Sequence, residues 1–279
     1  MNIIGHSRAI KVLKRLADER RLAHGYLFFG PKGVGKRLVA ESLAHYCEGG
    51  TFVPATRILN DARVVTPDAE GSIGIDAVRA LKFFLYERPN VSFYRLAIID
   101  GAERLTLQAQ NALLKLAEEP PSSGVLVLIA SDWEALLPTL QSRLHQVFFS
   151  LVPGAPLDAW LQKEHGCSAE KAKAVRSASF GAPARALELL APSGKKGKDD
   201  AARRFLSAPA SQRRELVKAL IAPVDFSLPE FLDSCIALLA EESAAGKTNR
   251  PLWHKILALR REAAHGTLNA RLQLNALLE

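Results

Sequence analysis

Residues 30–37 read Gly30-Pro31-Lys32-Gly33-Val34-Gly35-Lys36-Arg37. Glycines at this spacing let backbone N–H groups turn toward an anion, and the lysine that follows reaches terminal phosphates, which is the chemistry of a P-loop. The pattern ordinarily closes on serine or threonine, whose hydroxyl coordinates the Mg²⁺ that bridges the phosphates. Arg37 stands there instead. The cradle of Gly30, Gly33, Gly35 and Lys36 survives, while the metal loses a ligand and gains a cationic neighbour. Such a loop is expected to hold a nucleotide weakly and to hydrolyse it poorly.

Three more positions bear on the same chemistry. Asp100 ends an apolar run, where an acid holds Mg²⁺ through water in nucleotide hydrolases, and the residue after it is commonly a glutamate that activates the attacking water. Here that residue is Gly101, and Glu103 falls two positions further on, past the strand end. Ser142-Arg143 precedes the last apolar run. A guanidinium is always charged and forked, suited to a transferring phosphate held by a neighbouring subunit. Arg185, in Gly181-Ala182-Pro183-Ala184-Arg185, opens a later helix from which it could face a phosphate site. Alone, each of these arginines reads as a solvated side chain; their order along the chain raises them.

The elements that must position these residues are legible from periodicity. Tyr26–Phe29 is a short aromatic-rich run ending at Gly30, and Leu38, Val39, Leu43 and Ala44 follow at helical spacing, giving strand, turn and helix. An amphipathic helix over 7–23 precedes them. A strand is expected around 63–65 and a helix over 75–85, closed by Pro89. Tyr94–Asp100 and Val125–Ile129 are unbroken apolar runs, as in parallel strands buried on both faces. Between them a helix over 106–119 stops at Pro120-Pro121, and Val147–Phe149 makes a short third run. Strands alternating with helices predict an α/β doubly wound parallel sheet over roughly the first 150 residues. Beyond Pro153 and Pro156 the β-type runs vanish. Residues 157–190 form a small helical unit, 193–198 a polar linker, and 201 onward further helices broken near Pro223, Pro229 and 246–251.

The 279 residues suffice for two or three domains. No apolar stretch approaches the roughly 18–20 residues of a membrane span, and the N-terminus lacks the regions of a signal peptide, so a cytoplasmic location and no membrane partner are expected. The three cysteines, Cys47, Cys167 and Cys235, lie far apart and fit neither a disulfide framework nor a zinc site. A net charge of +8 favours an anionic partner, nucleic acid first.

The ordered set of motifs resembles one family, the AAA+ clamp-loader subunits of bacterial DNA polymerase III, and within it the delta-prime branch. Ile3-Ile4-Gly5-His6 with Leu22–Phe28 looks like its opening, and 73–79 its segment before the acidic strand. Asn111–Pro121 is similar to its most recognisable stretch, Leu136–Arg143 to its trans-acting arginine region, and Gly181–Leu187 to its sensor-two helix. The resemblance covers residues 1–190. It implies an AAA+ P-loop domain over 1–152, a small helical lid over 153–192 and an all-α collar over 199–279. It also implies a degenerate nucleotide site of Gly30, Gly33, Gly35, Lys36, Asp100 and Arg185, with Arg143 serving a neighbour's ATP site.

Arg37 and Gly101 depart from the ATP-hydrolysing gamma or tau members and point to delta-prime. Leu144 stands where the family usually has a cysteine. The family commonly carries a four-cysteine zinc module between P-loop and acidic strand, where this chain has only Cys47, so no metal is expected. The implied function is a non-hydrolysing part of a polymerase holoenzyme. Within a hetero-pentamer of gamma/tau- and delta-type subunits it helps place the sliding clamp on primed DNA. No cofactor is required on this reading, and ATP or ADP binds weakly at most. Two other readings stand beside it, an active gamma/tau-like ATPase and a small-molecule P-loop kinase.

Overall fold

The computed structural model describes residues 3–54, 57–190, 196–221 and 250–262, with single positions between 228 and 239 and Leu274. The chain divides into two compact units, one of residues 1–156 with 181–184 and one of 157–180 with 185–279. The lid and collar expected over 153–192 and 199–279 both fall mostly within the second.

The first unit is built on five strands: β1 (Gly25–Phe29), β2 (Ala62–Val65), β3 (Arg95–Asp100), β4 (Gly124–Ala130) and β5 (His145–Phe148). They pair in the order β2-β3-β4-β1-β5, every pair parallel. Parallel neighbours need long crossovers, and helices supply them. These are α1 (Ser7–Asp18) ahead of the sheet, then α2 (Lys36–Gly49), α3 (Ile75–Tyr86), α4 (Leu107–Glu118) and the short α5 (Pro138–Gln141).

Alternation of side chains along the strands divides the core in two. Leu27, Ala97, Ile99, Leu126 and Leu128 pack with Leu81, Phe84, Leu113 and Leu116 of α3 and α4. Phe28, Leu96, Ile98, Val125 and Val127 pack with Leu13 of α1 and Val39 and Leu43 of α2. Burial on both faces is why β3 and β4 read as unbroken apolar runs. The second unit contains α7 (Ala169–Ser179), α9 (Lys196–Ser207), α10 (Ala210–Ile221), a helix over Arg250–Glu262, and all but the first residues of α6 (Gly154–His165) and α8 (Pro183–Leu190). Its core includes Ala178, Phe205, Val217, Phe231 and Ile256.

Three expectations are corrected. The first helix ends at Asp18 rather than residue 23, because Arg20 adopts a left-handed φ of 54° and the Arg21 N–H turns back to the Leu16 carbonyl. Residues 196–198, expected as linker, are the first turn of α9. The last strand begins at His145 and ends at Phe148. Phe149 lies beyond it, fully buried, its N–H still donating to the Phe29 carbonyl at 2.8 Å. The expected breaks at Pro223, Pro229 and 246–249 lie outside the described residues. Pro251 falls in the first turn of its helix, where its missing N–H costs no hydrogen bond.

Candidate nucleotide site and the arginine edge

The order β3-β4-β1 brings the C-terminal ends of three strands side by side, and the loops that leave them form the site. Gly30 leaves β1 at φ 136°, and a Cβ there would lie 2.1 Å from the Phe149 carbonyl oxygen, so no other residue fits without moving backbone. Gly35 caps α2 at φ 103° and faces open space, with nothing within 4 Å of where a Cβ would stand. The first N–H groups of α2 have no intrahelical carbonyl to reach and open toward that space, the arrangement that receives an anion. Gly33 sits between them and is held from downstream, its carbonyl accepting from the Ala184 N–H at 3.0 Å. His6 holds Val34 from upstream, its Nε2 3.0 Å from the Val34 carbonyl. That bond fixes the Nε2–H tautomer, and burial is the main cause that lowers the pKa of the ring, with Lys36 acting in the same direction.

Lys36 is only 6% exposed. Its Nζ donates to the carbonyls of Gly30 (2.7 Å) and Pro31 (2.8 Å), with Ser131 Oγ at 3.5 Å. Burial lowers its pKa to about 8, opposed by the carboxylates of Glu103 and Asp100. Arg37 lies across the same mouth. Its Nε donates to Glu41 Oε1 at 2.7 Å and its Nη1 to Asp100 Oδ2 at 3.3 Å. Those partners, Glu41 first, hold the guanidinium firmly charged. A nucleotide's phosphates fit the cradle and Lys36. Mg²⁺ does not fit: the hydroxyl that should bind it is a donor-only guanidinium, already paired with the acid that should share the ion.

Gly101 turns at φ 84° beyond β3 and donates its N–H to the Ile129 carbonyl. The turn brings Glu103 back to the mouth, where its Oε2 accepts from the Ser131 N–H at 3.2 Å. Glu103 therefore stands at the site, with one carboxylate oxygen tied to backbone.

Arg143 lies at the other end of the sheet. It lies two residues before His145, which opens β5 level with Tyr26 of β1, so a strand length of about 16 Å separates it from the loop beyond Phe29. Its Nη1 donates to the Thr139 carbonyl at 2.8 Å and its Nη2 lies 2.7 Å from Glu118 Oε1. Leu144 beside it is buried, and Gly25 makes the room, since a Cβ on Gly25 would lie 2.4 Å from Leu144 Cδ2. Arg143, Glu118, His24 and His145 line an open groove of about 500 Å³ along this edge. Arg185 belongs to the second unit, in the first half of α8, its guanidinium 5.4 Å from the Phe180 ring centre.

The structure thus brings Gly30, Gly33, Gly35, Lys36 and Asp100 together and sets Arg143 apart at the opposite edge. Sequence reasoning missed Glu41, Ser131, His6, Ala184 and Glu118, and underrated Glu103. Glu41 was detectable as the i+4 partner of Arg37, and Ser131 as the residue that leaves a buried strand. His6, Ala184 and Glu118 lie in stretches that resemble the family, but their partners are tertiary neighbours that no spacing in the sequence signals. Among the described residues no group of three or more His, Cys, Asp or Glu could hold a metal ion. Burial pushes the Cys47 thiol up to about 12.

The family described as DNA polymerase III, delta subunit, matches residues 5–152, more than half of the chain. The chain belongs to this family of AAA+ clamp-loader subunits. Its relatives include DNA polymerase III subunit delta-prime of Pseudomonas aeruginosa, 33% identical over 163 residues, which are 53% of this chain and 50% of that protein. DNA polymerase III subunit gamma/tau of Mycobacterium bovis is 32% identical over 176 residues, 58% of this chain and 30% of the relative. The clamp-loader chain therefore spans half or less of the length of these relatives. A gamma subunit-related protein of Thermotoga maritima shares the fold, with a TM-score of 0.56 at 23% identity over 96% of this chain and 97% of that one. No helix among the described residues is long and apolar enough to cross a membrane.

Proposed function

We propose that this chain is a non-hydrolysing, delta-prime-like clamp-loader subunit of the cytoplasm. It joins gamma/tau- and delta-type subunits in a hetero-pentamer that places the sliding clamp on primed DNA. The observation that carries this reading is Arg37, which pairs with Asp100 and Glu41 where a hydrolase would organise Mg²⁺. Turnover at this site would need a metal ligand that is missing and a base that Gly101 does not supply. What the chain's own residues do is simpler. Lys36 and the loop amides can hold a phosphate, weakly because Lys36 must first leave two carbonyls. Arg143 presents a charged fork at the far edge, out of reach of its own loop and suited to an ATP bound by a neighbour.

A second reading, an active gamma/tau-like ATPase, is kept by the similar identity to the gamma/tau and delta-prime relatives. One measurement separates them. The isolated chain is expected to release no phosphate from ATP above background with or without Mg²⁺, and Arg37→Thr alone is not expected to restore release. A Mg²⁺-dependent rate abolished by Lys36→Ala would establish the second reading instead. In the reconstituted loader, Arg143→Ala is expected to lower DNA- and clamp-stimulated ATPase with assembly intact, and Arg143→Lys to rescue poorly because it loses the planar fork.

A further inference from the structure

We propose that Glu118 is the positioning residue for Arg143. The inference rests on the reading that Arg143 serves a neighbour's ATP site. A free arginine on a surface samples many rotamers, and an arginine that must meet a phosphate in a partner has to be held before the partner arrives. Arg143 is held at three points. Its backbone is anchored by the burial of Leu144 against Gly25. Its Nη1 is tied to the Thr139 carbonyl of α5, and its Nη2 to Glu118 at the last residue of α4. The two side-chain ties use one N–H each of the five a guanidinium carries, so the remaining donors are free of these two partners and share one plane.

Glu118 suits the task because it holds without burying. The side chains of Arg143 and Glu118 are 37% and 48% exposed. An ion pair so open to water contributes little to folding. Its loss should therefore change where the guanidinium points and leave the fold standing. α4 itself is fixed independently, through Leu113 and Leu116 in the core and the Tyr86 hydroxyl donating to the Glu119 carbonyl. The carboxylate is presented by a rigid end of helix, and Pro120 stops the chain from carrying it further.

The experiment is made in the loader reconstituted from this chain and its partner subunits, reading DNA- and clamp-stimulated ATPase at saturating ATP. Glu118→Ala is expected to lower the rate by about tenfold, short of the roughly hundredfold that a 1 Å misplacement can cost because the Thr139 tie remains, with the thermal midpoint of the chain unchanged. Glu118→Gln, which keeps an acceptor oxygen, should recover most of that loss. Glu118→Ala with Arg143→Ala should be no slower than Arg143→Ala alone, since a group that acts only through the arginine has nothing left to position. An unchanged or raised rate in Glu118→Ala, beside a slowed Arg143→Ala, would overturn the positioning role while leaving the in-trans arginine standing. Multiplying losses in the double variant would do the same. No effect of Arg143→Ala would overturn both readings.

Discussion

Lys36 carries its charge where burial disfavours it. Its folded pKa of about 8 lies below the ordinary 10.5. Between these values the unfolded chain binds more protons than the folded one, so stability rises as pH climbs through that window. Below about 8 the penalty is present in full. Relative to Lys36→Met, wild type should therefore gain on the order of 1–3 kcal/mol between about pH 7.5 and 10, at roughly 1.4 kcal/mol per pKa unit. Denaturant titration of both proteins at the two pH values measures it, and a flat difference would show that Lys36 does not titrate there. At this scale the sequence revealed residue types and little of their pairing. Lys36 and Arg37 stood out from a motif, and Glu41 lay one helical turn away. The contacts of His6 with Val34 and of Arg143 with Glu118 join distant segments, and only the fold makes them neighbours.

Elements were more legible than contacts, and the reason is burial. β3 and β4 are covered on both faces, so Leu96–Ile99 and Val125–Ile129 had to be apolar throughout. Helix α4 was bounded in the sequence by the prolines beyond it; the structure adds the Thr106 cap, whose hydroxyl accepts from the Ala109 N–H. The early end of α1 could not be read, since a left-handed arginine carries no signature in its type. Likewise β5, exposed along much of its length, lacked the pattern that dates a strand's first residue. The tightest joint between elements is Gly30 against the Phe149 carbonyl. Gly30→Ala adds a methyl where backbone already stands and forces a left-handed φ on a residue with a side chain. It should cost at least about 2 kcal/mol, combining overpacking with backbone strain. A thermal melt against wild type tests this, and a midpoint within a degree would mean that β5 can retreat freely.

For the whole molecule, the net charge of +8 sets how strongly it is expected to attract a polyanion. The free chain should bind oligonucleotides without sequence preference and no tighter than the micromolar range near physiological salt, losing affinity steeply as salt rises. Fluorescence anisotropy at two salt concentrations checks this; tight, salt-insensitive or sequence-selective binding would refute it. The division into an α/β unit and a helical one was visible in the disappearance of β-type runs after Pro153. The return of 181–184 to the first unit was not, because it depends on a backbone contact rather than on side-chain pattern.

That contact, Ala184 N–H on the Gly33 carbonyl, has a counterpart in His6 on Val34, and together they grip the loop by its own chain from either side. Both holds come from the protein itself, an amide and an imidazole on the loop's own carbonyls, and neither calls for a bound nucleotide. In a starving cell, with ATP falling and ADP rising, a loop held in this way is expected to keep its shape.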